Sequence, residues 1–111
     1  MNVKRREKNL VEINSIYAKL PQIQRELEAD PTAYKDGCAY FTSLSTNLMR
    51  LAKYRQKLCE IRTTGDFDPE VLNRAVAAAD SILRYALDRL ENTYEAITEY
   101  EEKVKEIEEK C

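Results

Sequence analysis

The stretch "DFDPEVLNRAVAAADSILRYALDRLENTYEAITEYEEKVKEIEEKC", residues 66–111, decides the fold. Asp68 is placed to cap a helix N-terminus, and Pro69 suits the first helical position, where its missing N–H would have no partner. Phe67, just outside that cap, can reach Leu72 as a hydrophobic staple. From Val76 the seam positions alternate steps of three and four to the last residue. Val76, Leu83, Leu90, Ile97, Val104 and Cys111 take heptad position a, and Ala79, Ala86, Thr93, Tyr100 and Ile107 take d. Such a period predicts one long coiled-coil-like helix over about 68–110.

Two further helices are predicted upstream. In the first, about 3–29, Leu10, Ile13, Tyr17, Leu20 and Leu27 form one apolar face, flanked by Ile16 and Ile23. Pro21 interrupts it and either kinks a single helix or breaks it in two. In the second, Phe41, Leu44, Leu48 and Leu51 step regularly, and Tyr54, Leu58 and Ile61 resume one position out of phase. This helix starts at 31, behind Asp30 and Pro31, or near 39 past Gly37, and it ends by 63 ahead of Gly65, a candidate left-handed C-cap. The expected fold is therefore all-α: an antiparallel up-down-up three-helix bundle, in one domain over 1–111, with an extended third helix. Leu48, Leu51, Val76, Leu83 and Leu90 are expected in its core, so that Leu83→Ala costs about 2–4 kcal/mol.

Composition agrees with that class. Of 111 residues, 43% are apolar and 34% charged, with two glycines, a mixture typical of long helices. No run approaches the ~20 apolar residues of a membrane span, and no apolar segment of a signal peptide follows Met1, so the expected compartment is the cytoplasm. Cys38, Cys59 and Cys111, at wide spacings and with no histidine in the chain, fit neither a disulfide framework nor a zinc site and are read as reduced thiols.

Catalysis finds no support in the residues. Without histidine there is no ordinary triad or metal-binding Glu-x-x-His, and the two glycines form no phosphate loop. No catalytic, cofactor-binding or metal-ligating residue is assigned and no cofactor is expected. The glutamates of the last helix fall mainly on its outer positions, as a solvated face requires. Tyr17, Tyr54 and Tyr100 lie in apolar stripes, Cys59 reads as a small core residue, and Tyr34, Tyr40, Tyr85 and Tyr94 are candidate surface anchors.

Two sets of residues are candidates for binding. Up to Tyr94 the last helix carries apolar flanks at Ala75, Ile82, Leu87 and Tyr94, enough for two neighbours. Beyond residue 95 the flanks become Glu101, Lys103, Glu108 and Lys110, which leaves a narrow seam of Ile97, Tyr100, Val104, Ile107 and Cys111 for a single partner helix. That seam packs within the chain, on a second copy or on another protein. For a second copy the flanks predict a parallel dimer, with Lys103 of each chain facing Glu108 of the other and the Cys111 residues across the seam.

The other set is basic. Residues 41–63 carry a net charge of +4 and residues 68–111 a net charge of -6, so the second and third helices attract and their flanking charges are expected to pair. The alternative use of Arg50, Lys53 and Lys57, with Lys4, Arg5 and Arg6 near the N-terminus, is contact with a polyanion. Lys4, Arg5 and Arg6 stand where a helix dipole favours acids, so they belong to a frayed tail or have a partner. The leading functional expectation is a non-enzymatic protein-binding or assembly module that self-associates through its third helix. The alternative is a nucleic-acid-associated helical protein.

Overall fold

A computed structural model describes residues 2–29 and 37–110, excluding the side chains at 37, 38, 96, 97, 100 and 110. It contains α1 (Val3–Glu28), α2 (Gly37–Thr64) and α3 (Pro69–Lys110), which pack against one another; there is no strand among the described residues. A start of the second helix at 31 lies outside them, as does Tyr34. α1 passes through Pro21 without a break, and Leu20, Ile23 and Leu27 stay buried on both sides of the proline.

Local chemistry fixes the ends. The Asn2 side chain accepts the Arg5 N–H at 3.0 Å and caps α1. Gly65 has φ +73° just past α2, where a left-handed residue costs glycine least, and its N–H reaches the Arg62 carbonyl at 3.3 Å. The Asp68 carboxylate accepts the Glu70 N–H at 3.0 Å and the Val71 N–H at 3.4 Å, capping α3, while Phe67 is half-buried against the core beside buried Leu72.

Burial corrects the expected core. Leu51 is fully buried, but Leu48, Val76, Leu83 and Leu90 are only half-buried at its edge. In α3 the innermost row is Leu72, Ala75, Ala79, Ile82 and Ala86. The physical reason is size: alanines at 75, 79 and 86 let two neighbouring helices approach closely, which pushes the larger a-position side chains to the rim. The flank at Leu87 and Tyr94 faces solvent, 50% and 69% exposed.

The other helices show the same one-position shift. Leu10 and Tyr17 are exposed while Ile13, Ile16 and Ile23 are buried, and Tyr40 is buried where a surface anchor was expected. Cys59, expected in the core, is exposed. Two polar side chains occupy core rows: Asn9, and Asn47, only 1% exposed, whose Oδ1 has no hydrogen-bond partner among the described residues.

Candidate interaction surfaces

At one end of the bundle the start of α1 is tied to the α2–α3 turn. The Asp66 carboxylate, on a residue 7% exposed, accepts the Asn2 N–H at 2.9 Å and the Arg5 guanidinium at 3.3 Å. Asn9 Nδ2 donates to the Asp66 carbonyl at 2.9 Å and to Thr64 Oγ1 at 3.2 Å. Arg6 lies 3.9 Å from Asp68. The "KRREK" segment is therefore helical rather than frayed, and two of its cations have partners inside the chain. A polar network that crosses from residue 2 to residue 66 has no local sequence signature. The buried-row phase of Asn9, four residues before Ile13, is the one signal that could have found it.

The basic residues of α2 are also engaged, on a different neighbour from the expected one. Arg50 lies 3.8 Å from Glu26, and Lys57 lies 3.3 Å from Glu12, both on α1. Among the described residues only Arg55 reaches an α3 acid, with Nε 2.8 Å from Asp80 Oδ1; that bond raises the Arg55 pKa above its ordinary value, and Arg55 also donates to Cys59 Sγ. Arg62 donates to Asn73 at 3.3 Å. Lys4 and Lys53 make no ion pair among the described residues. Lys4 lines a shallow groove of about 450 Å³ beside α1 and α2, where Lys8 and Lys57 are interleaved with Glu12 and Glu60. With Arg5 the lining holds four cations against two acids, and of those cations Arg5 and Lys57 already face carboxylates.

The opposite end is built by a difference in length. At 1.5 Å per residue α3 is about 63 Å long and α1 about 39 Å. The Ala29 carbonyl, just past α1, accepts Arg89 of α3 at 3.1 Å. Arg55 meets Asp80 and Arg62 meets Asn73, and continuing that register along α2 sets Gly37 level with about residue 98 of α3. Past that level α3 stays helical to Lys110 with no cover among the described residues. Of the expected seam, Val104 is half-buried and Ile107 63% exposed, Cys111 lies outside the described residues, and Ile97 and Tyr100 are described in backbone only. Glu101, Lys103 and Glu108 flank it, all exposed.

Among the described residues no group of three His, Cys, Asp or Glu side chains could hold a metal ion, and no helix is long and apolar enough to cross a membrane. In comparisons with known proteins, the chain matches no protein-family model, no curated protein and no solved structure.

Proposed function

We propose that this chain is a cytoplasmic assembly module without catalytic activity, a homodimer joined through the apolar stripe of its third helix, residues 97–111. The bundle is an antiparallel, up-down-up scaffold. In support, the paired residues of α1 and α2 run in opposite directions, 12 with 57 and 26 with 50, as do those of α2 and α3, 55 with 80 and 62 with 73. Its role is to hold a coiled-coil-like extension of α3 clear of its own core. The observation that carries this reading is the uncovered Ile107 on a helix that outruns both neighbours.

Apolar side chains repeated at heptad spacing on a solvated helix have little reason to persist in water other than a partner helix, because each buried one contributes about 1.5–3 kcal/mol against the cost of ordering it. Polyanion binding is the weaker reading: Arg5, Arg6, Arg50 and Lys57 already face carboxylates that a phosphate would have to displace.

Sedimentation of the full chain beside a 1–96 truncation tests the proposal. The expected outcome is a concentration-dependent dimer that the truncation reduces to a folded monomer, since the core ends at Leu90. A full chain that stays monomeric at high concentration, or a dimer that survives the truncation, overturns it.

A further inference from the structure

Two columns of side chains meet along the crevice between α2 and α3. On α2 the column is Phe41, Leu48, Arg55 and Arg62; on α3 it is Tyr94, Leu87, Asp80 and Asn73. Two rungs fix their register, where Arg62 donates to Asn73 at 3.3 Å and Arg55 to Asp80 at 2.8 Å. With α2 and α3 antiparallel, as proposed above, a heptad step along each helix sets Leu48 level with Leu87 and a second sets Phe41 level with Tyr94. Polar pairs thus close over one half of the crevice, and apolar side chains take their place along the other.

Contact with water alone gives no cause for that change. Leu87 is 50% exposed and Tyr94 69% exposed, and with half-buried Leu83 and Leu90 they fall within about 60° of one another on α3. Their alternating steps of four and three leave the holes that the knobs of a further helix fill, over about 17 Å. Half-buried Leu48 and Phe41 form the α2 side of the same face. This is the part of α3 that runs beside α2, not the overhang.

Charge says what kind of helix fits. From Tyr85 to Glu102 α3 holds one base, Arg89, and that side chain is turned to α1, where it donates to the Ala29 carbonyl at 3.1 Å. Glu91 and Glu95 border the stripe with Asp88 behind them, all three exposed and in no ion pair among the described residues. Acids nearer the other end are matched within the chain, Asp66 by Arg5, Glu26 by Arg50 and Asp80 by Arg55. Arg84, one turn before Asp88, sets a single base against the three, and residues 37–49 of α2 carry no charge. A second copy of the same face would bring these acids together across a twofold contact, which disfavours it.

We propose that the α2–α3 face binds an amphipathic helix with basic flanks on a different protein. Its apolar side chains cover Leu87 and Tyr94, and its lysines or arginines reach Glu91 and Glu95. The apolar contact supplies the affinity, while the charged rim selects the partner and speeds its approach. This contact is separate from the stripe at 97–111 and does not depend on self-association.

Fluorescence anisotropy on the full chain tests this, the probe being a labelled synthetic helix of about 18 residues with leucine along its seam and lysine on its flanks. The chain should bind it with a micromolar dissociation constant that weakens as salt rises. Tyr94→Ser and Leu87→Ser should each weaken binding about tenfold, and Glu91→Gln combined with Glu95→Gln about threefold. Met49→Ser, at an exposed apolar site on another face of α2, should leave it unchanged. A probe with glutamate flanks should bind at least about tenfold more weakly than the lysine probe. No binding at about 1 mM protein, equal binding of the two probes, or equal losses at Tyr94 and Met49 overturns the proposal. A loss in Ile107→Ser without one in Tyr94→Ser places the probe on the overhang and overturns it as well.

Discussion

Leu72→Ala and Leu83→Ala, compared in one protein, test where the core lies. Both remove the same atoms from α3, yet Leu72 is 0% exposed among residues of all three helices while Leu83 sits half-buried on the rim. At Leu72 the transfer and cavity contributions both apply, because α1, α2 and α3 cannot all collapse into the space, and the expected cost is about 3 kcal/mol. At Leu83 about half of the transfer contribution applies and water or neighbouring side chains fill the gap, so the cost is about 1 kcal/mol. With an unfolding entropy near 0.23 kcal/mol/K for a chain of this size, these correspond to falls in Tm of about 13 °C and about 4 °C. Thermal melts by circular dichroism at 222 nm, with urea titrations to confirm an unchanged m-value, read the difference. Equal losses, or a larger loss for Leu83→Ala, would refute the burial pattern and restore the a-position row as the core.

Asn47→Leu should raise stability by about 1 kcal/mol in a urea melt, because it removes a buried carboxamide oxygen that has no partner and keeps the volume. Asp66→Ala should lose about 1 kcal/mol by the same measurement, since it leaves the Asn2 N–H without its acceptor and removes the partner of a half-exposed Arg5. Tyr94→Ser, at a site exposed on the bundle rim, should leave the melt within about 0.5 kcal/mol of the parent. A labelled oligonucleotide should show no binding at about 150 mM salt; a sub-micromolar dissociation constant there would revive the polyanion reading.

The helix ends were legible because capping is local: Asp68, Pro69 and Gly65 act within a turn of where they stand. The phase of burial was not. Each helix carries two rows of alternating three and four steps that share every second position and differ by one residue at the others. In α1 these are 10, 13, 17, 20 and 9, 13, 16, 20; in α2 they are 41, 44, 48, 51 and 40, 44, 47, 51. The wholly apolar or bulkier row is the natural choice from sequence, yet the buried rows hold Asn9, Asn47 and Ala75. A polar residue enters the core when a distant partner accepts it, as Thr64 and Asp66 do for Asn9, and an alanine enters when close approach matters more than volume. Neither condition can be read within one helix. The pairing of Arg50 and Lys57 with α1 was hidden for the same reason, because net charge by segment favoured α3 and only the packing shows which flank of α2 those side chains occupy.

The overhang was more legible than the core, because one column of α3 records the length of its neighbour. Position g holds Ala75 and Ile82 where α1 runs alongside, then Arg89 at the level where α1 stops. The side chain there no longer packs on a helix but donates to the carbonyl just beyond its end. Past that point the column holds Ala96 and then Lys103 and Lys110. Columns a and d behave differently, staying apolar at Val104 and Ile107 well beyond the level of Gly37, where α2 begins. One column is thus charged from residue 103 onward, past the level of Gly37, and two are not. A helix that had merely run past its bundle would have no cause to treat them differently, and that difference is what supports the proposed use of the a and d positions by a second helix.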